Sequence, residues 1–308
     1  MTSEQGLRPT PPSIPDATPA PRPPRKRRLP RLRDFRSALP FVVILGIYIV
    51  VALVPALFVG SVDVAAELSD RLLPPGSVTD TGTHFLGTDQ LGRDVLNRLV
   101  FGTRVSLTIA VSAVVFAGLV GTTLGVIAGT YRGALGALIM RLADVVLSVP
   151  FFLLAILTVV ALGPSLVNVV ICLALVRWPR YTRVAYGQTL EAGGKEFVTS
   201  ATAIGATKLW VVLRHVVPEV LPSVIVVATL ELGTMVLYEA SLSFIGLGVQ
   251  PPTPSWGAML SDGRAYIGTA WWLTTFPGLA LFVLVLSVNL LGDFVRDRLD
   301  PSEQALRQ

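Results

Sequence analysis

The sequence predicts an all-α membrane protein of six transmembrane helices with a helical loop projecting from one face, and three observations predict it. Of the 308 residues, 52% are hydrophobic and only 15% charged, and the mean hydropathy is +0.66, which lies outside the balance of a water-soluble fold. Apolar runs of about 20 residues, the length a helix needs to cross a bilayer, recur along the chain. Lys and Arg crowd into alternate segments between those runs, as they do when one side of a membrane is cytoplasmic.

Residues 1–37 read as a disordered basic tail. Nine of the 25 Lys and Arg residues lie in the first 36 positions, within a stretch broken by prolines from Pro9 to Pro30 that can neither bury a core nor sustain a helix. The formal net charge of +5 is therefore a property of the tail, and with no aromatic interleaving beyond Phe35 it does not point to nucleic acid. The tail is too long and too proline-broken for a cleaved signal peptide.

A first span is expected over residues 38–60, with its apolar run at Leu39–Gly60, followed by an outer loop over 61–104 that carries Asp63, Glu67, Asp70, Asp80, Asp89 and Asp94. Residues 105–295 form a five-helix core. Four of its apolar runs are direct: Val105–Thr130, Leu142–Gly163, Val220–Leu247 and Thr269–Gly292. A shorter run, Ser165–Val176, gains length by continuing into RWPRYTRVAYGQTL, where Arg alternating with Trp and Tyr suits a helix leaving the bilayer with its charged heads snorkelling to water. This core includes an inner loop at 191–218 and an outer loop at 248–268, and residues 296–308 form a C-terminal tail. With the N-terminus inside, 20 of the 25 basic residues fall on the inner side and only Arg71, Arg93, Arg98, Arg104 and Arg264 outside, so both termini are expected in the cytoplasm.

Cys172 is the single cysteine, which excludes an intramolecular disulfide and a thiolate metal cage. His84 and His215 stand far apart in sequence, against a His-based metal centre. Glycines 118, 121, 125 and 129 put a smooth stripe on one face of the second span, the small-residue device by which membrane helices approach closely. Three carboxylates, Asp144, Glu231 and Glu239, fall in or near the bilayer, where each costs about 2.5–3.5 kcal/mol unless paired or wetted. Asp144 has Arg141 one turn away. Glu231 and Glu239 have no basic residue in their own helix and are candidates to line a water-filled pathway, with Glu239 alternatively bracing the outer end through Ser241 or Ser243.

The longest inner loop, Glu191–Pro218, has helix formers between Lys195 and Ala203, a break at Gly205 and a second amphipathic stretch over Lys208–Val217 stopped by Pro218. Two short helices about a glycine turn make a compact knob suited to docking a soluble partner. Here the chain resembles the permease subunits of ATP-binding-cassette importers. Their signature of Glu-Ala-Ala, a glycine and Ile-x-Leu-Pro is met at Thr199, Ser200, Ala201, Gly205, His215 and Pro218, with Thr199 in place of the Glu, Ser200 of the first Ala, His215 of the Ile and Val217 of the Leu. Flanking stretches resemble the C-type subunit of the dipeptide/oligopeptide/nickel branch: FLGTDQLGRDVLNRLVFGTRVSL (Phe85–Leu107), GTTLGVIAGTYRG (Gly121–Gly133), MRLADVVLSVP (Met140–Pro150), EASLSFIGLGVQPPTPSWGAML (Glu239–Leu260) and NLLGDFVRDRLDP (Asn289–Pro301).

The resemblance implies the type I importer permease fold, located in the bacterial inner membrane. It also implies a working unit of this chain, a B-type permease, two ATPase subunits and an extracytoplasmic binding protein, with peptide as cargo and nickel or glutathione as alternatives. ATP and Mg would sit on the partner subunits, leaving this chain without a cofactor. The knob becomes the coupling helix, in which Glu196 can supply the charge that Thr199 lacks and Gly205 allows positive φ and close approach. On the outer face, Gly87, Asp89, Arg93 and Asp94 form either a turn in which Asp89 caps a helix starting near Gln90, or a contact for the binding protein or a lid. Trp256, in the proline-rich QPPTPSWG segment, joins that docking or lid surface or, with Trp271 and Trp272, an aromatic belt. A proton-coupled carrier using Glu231 or Asp144 would not need the knob, and an intramembrane hydrolase lacks HExxH and GxSxG.

Overall fold

The computed structural model describes residues 32–59, 68–80 and 82–299. The basic tail before Leu32, the acidic positions Asp63 and Glu67, and the tail from Asp300 onward lie outside the described residues.

Helix α1 (Leu32–Leu53) ends earlier than its apolar run, because Val54, which precedes Pro55, leaves the helical region at φ −132° and ψ 65°. The outer segment contains a short hairpin, β1 (Ser77–Thr79) antiparallel to β2 (Gly82–His84). Helix α2 (Val95–Thr130) has 36 residues and starts well before the expected Val105, capped by Asp94, whose side chain accepts from the Asn97 amide.

The third apolar run is not one straight span. It forms α3 (Ala134–Ser148) and α4 (Phe151–Leu162), bent by 94°, because Pro150 drives Val149 to φ −88° and ψ 128°. Helix α5 (Leu166–Gly193) continues through Pro179. After α6 (Glu196–Ala203), helix α7 (Lys208–Val211) runs through a π turn at Val212–Val216 into α8 (Val217–Phe244). Pro218 therefore does not stop a helix as the sequence suggested: it sits at the first turn of α8, and the wider turn before it absorbs the hydrogen bond its ring nitrogen cannot make. Two further helices follow, α9 (Trp256–Gly263) and α10 (Trp272–Leu299).

Among the described residues, Val95–Thr130, Lys208–Phe244 and Trp272–Arg298 are long and apolar enough to cross a membrane, with the bent α3–α4 pair a fourth if taken as one span. The apolar part of α1, Leu39–Leu53, is shorter, and α5 is long enough at 28 residues but is interrupted by Arg177, Arg180 and Arg183.

The most extensive contact joins α2 and α5, with α8 against both and α10 packing on α8 and α1. The glycine stripe is the reason. A Cβ at Gly125 would lie 2.5 Å from the Thr182 carbonyl oxygen and 2.7 Å from the Ala185 Cβ, and one at Gly129 would lie 2.6 Å from Thr189 Cγ2, so only glycine lets the helices meet at this distance. Thr182 Oγ1 donates across the seam to the Gly121 carbonyl at 3.0 Å. Around this seam the core is filled by Ala110, Ala113 and Ala117 of α2, Leu173 and Tyr181 of α5, Met235 and Leu242 of α8, and Leu284 of α10.

Candidate functional site

The knob expected at 191–218 exists as α6, a turn and α7. Helix α6 ends in a paired cap: the Gly205 amide donates to the Thr202 carbonyl and the Ala206 amide to the Ala201 carbonyl, both at 3.1 Å, with Gly205 at φ +91°. A Cβ on Gly205 would meet open space, so the glycine serves backbone conformation and not close approach. Thr207 then caps α7 through the Trp210 amide, and Lys195 forms an ion pair with Glu219 that ties the start of the knob to α8.

Of the expected partner-facing residues, Glu196 and Ser200 are exposed, while the side chain of Thr199 lies outside the described residues. Ala201 is not available to a partner, because it is buried with Val198 and Val211 in a small core of the knob's own. His215 is half-buried, its ring packed 5.6 Å from that of Phe197 and 5.2 Å from that of Trp210. What the knob presents outward is apolar: Phe197, Ile204, Leu209, Trp210 and Leu213 are all exposed. The sequence signal for this face was available as large apolar residues in a loop between spans, and counting them towards amphipathic helices concealed it.

Glu231, a candidate to line a pathway, is buried and paired within this chain. It is 1% exposed, and each carboxylate oxygen faces a different arginine of α5: Oε2 lies 2.9 Å from Arg177 Nε and Oε1 2.9 Å from Arg180 Nη1. The guanidinium of Arg177 also stacks on Tyr238, 4.8 Å from the ring centroid, and Tyr238 stacks on Phe151 at 3.9 Å. Glu231 and Arg177 therefore form a largely buried ion pair within the bundle, with Arg180 joining it from an exposed position. Asp144 pairs with Arg183 at 2.5 Å, one helix away, and not with Arg141 on its own helix. Glu239 is fully buried too. Its Oε1 accepts from Ser243 Oγ at 2.8 Å, one turn further along α8.

The outer-face residues form a brace. Asp89, 1% exposed, accepts from the Leu91 and Arg93 amides at 2.8 and 3.0 Å through Oδ1, and from Arg93 Nε and Arg98 Nη1 at 2.7 and 2.6 Å through Oδ2. It thus closes a loop, while Asp94 caps α2 and accepts from His84 Nδ1 at 2.9 Å. Gly87, at φ +79°, is buried, with Leu73 O only 2.6 Å from where its Cβ would be. Trp256, expected on a docking or lid surface, is fully buried, donates from Nε1 to the Leu99 carbonyl at 3.1 Å and meets Tyr48 edge to face. Trp272 is buried as well, donating to the Thr88 carbonyl, which leaves Trp271 alone of the three exposed. The large apolar residues exposed here include Val78, Phe85 and Leu91.

Asp89→Ala would leave two amides and two guanidinium contacts without their acceptor, a loss of about 3 kcal/mol in the outer segment. The expected result is faster hydrogen exchange over residues 85–98 with α5 unaffected, and Asp89→Asn, which keeps one acceptor oxygen, should fall between.

A family model described as "Binding-protein-dependent transport system inner membrane component" matches residues 121–304. The chain is 43% identical over 246 residues to the di/tripeptide transport system permease protein DppC of Pseudomonas aeruginosa, covering 79% of this chain and 81% of that one. It is 41% identical over 221 residues to the glutathione transport system permease protein GsiD of Pectobacterium atrosepticum, covering 72% and 73%. Among solved structures, the inward-facing MetNI methionine ABC transporter superposes with a TM-score of 0.55 at 23% identity, over 66% of this chain and 96% of that one, a likeness of fold. Bundle, knob and family match agree, and the chain belongs to the inner-membrane components of binding-protein-dependent transport systems, on their dipeptide/oligopeptide C-type permease branch.

Proposed function

We propose that this chain forms half of the translocation pathway of an ATP-driven importer for di- and oligopeptides, paired with a B-type permease and served by two ATPase subunits and an extracytoplasmic binding protein. The carrying observation is the knob: a capped two-helix projection with an exposed apolar face, joined rigidly through α7 and the π turn to α8. A partner that pushes on this face moves a helix running the depth of the bundle. The names of its relatives support peptide cargo, with glutathione, itself a peptide, as the second reading.

Six spans with both termini inside are part of this proposal, with α1, the α3–α4 pair and α5 crossing beside the three long apolar helices. Single cysteines at positions 75 and 252 should react with an impermeant thiol reagent from outside, and one at 205 only after permeabilisation. Outside labelling at 205 would overturn the coupling assignment.

Coupling itself is tested at Gly205. At φ +91° any side chain is strained by about 1–2 kcal/mol, and Gly205→Trp adds a bulky ring beside the apolar face. Insertion should be normal, since no membrane hydrogen bond is broken, while ATPase retention or substrate-stimulated hydrolysis falls and uptake stops. Thr199→Glu should preserve or strengthen docking. Full stimulated hydrolysis and uptake by Gly205→Trp would remove the physical support for coupling through this knob.

A further inference from the structure

We infer that Arg180 receives the free carboxylate of the cargo in transit; the inference rests on the peptide reading above and narrows it. The charges at the centre of the bundle do not balance. Arg177 and Arg180 bring two positive charges, and among the described residues Glu231 is the one carboxylate within ion-pair distance of either. The two arginines are not equivalent. Arg177 is enclosed beneath Tyr238, whereas the Arg180 side chain is 54% exposed and meets Glu231 through Nη1 alone, leaving part of its planar fork open.

Position decides what the open part can meet. Arg180 stands 14 residues into the 28-residue α5, about 21 Å along it and near its middle; with α5 crossing as proposed above, an arginine there facing lipid tails is strongly disfavoured. The face of α5 on which it lies is polar towards the knob: Arg180, Arg183, Gly187 and Glu191 recur at three- and four-residue spacing and are all exposed, with Asp144 paired to Arg183. Beyond Arg180 the exposed residues of α5 become Leu175 and Ile171. An exposed polar stripe therefore runs from the knob and ends at Arg180.

At that end stands a forked cation with surplus positive charge. Its chemistry suits a planar carboxylate, which it can grip through two parallel N–H donors, and it repels a free divalent cation. A terminal carboxylate is the group that peptides of different sequence share, so a single arginine suffices for varied cargo.

The test uses the complete transporter in proteoliposomes, with a dipeptide and its C-terminal amide each presented on saturated binding protein. The native complex should move the free acid roughly 10- to 100-fold faster than the amide. Arg180→Gln should bring the acid down to the amide's rate while leaving the amide rate and subunit copurification unchanged. Arg180→Lys should fall between, because it keeps the charge without the fork. Equal transport of acid and amide by the native complex, or equal slowing of both by Arg180→Gln, would overturn the inference while leaving the peptide reading intact. Loss of the partner permease from Arg180→Gln would also overturn it, assigning the open edge to an acid of that partner. Uptake of nickel ion with no uptake of either peptide form would instead refute the peptide reading itself.

Discussion

Glu231→Ala is expected to cost about 3–5 kcal/mol of stability, because it leaves the largely buried Arg177 and the neighbouring Arg180 without their shared counter-charge. The loss should sit at the upper end for Arg177, which Tyr238 and Phe151 hold away from water, and be smaller for Arg180, which is half exposed and can be hydrated. Thermal unfolding of the solubilised complex, followed by intrinsic fluorescence, should show a clear drop in midpoint and a lower yield of inserted protein. A double variant, Glu231→Leu with Arg177→Met, removes the buried charges together and should recover most of that loss, since well-packed apolar groups can replace a buried pair without penalty. A single Glu231→Ala variant as stable as the native chain would mean that these arginines are solvated in the assembled transporter, and the pair would lose its structural role.

Gly125→Leu should be severely damaging at the α2–α5 seam. Its Cβ would press on the Thr182 carbonyl and Ala185, which belong to a helix and cannot turn aside as a flexible side chain could, so the two helices must part. A cost above about 3 kcal/mol is expected, with loss of the Thr182 bond to Gly121 and failure to assemble. Gly118, in the same stripe, is the control: a Cβ there would lie 3.5 Å from Tyr181 Cε1, an ordinary contact, and Gly118→Ala should insert and assemble normally. Equal tolerance of both substitutions would show that the seam is looser than the structure places it.

The glycine stripe shows how far sequence reasoning reaches. Spacing of three and four identified a packing face, but the four positions look alike in sequence, and only the approach of α5 separates Gly125 from Gly118. Pro150 and Pro218 make the same point about backbone. Each reads as a breaker, yet one stands at a 94° bend between two helices while the other opens a helix, because what a proline does depends on whether the preceding turn can widen.

By itself the sequence determined the helical membrane class, the knob with its glycine cap and the family, all of which rest on local properties: apolar run length, turn chemistry and motif order. Tertiary structure decided the fate of the charges and the large aromatics. Glu231, Asp144 and Asp89 found their arginines on other helices or across a loop, and Trp256 went inward to Leu99 and Tyr48. Pairing a charge or burying a ring requires a specific surface to arrive from elsewhere in the chain, and periodicity along one helix carries no information about which surface that will be.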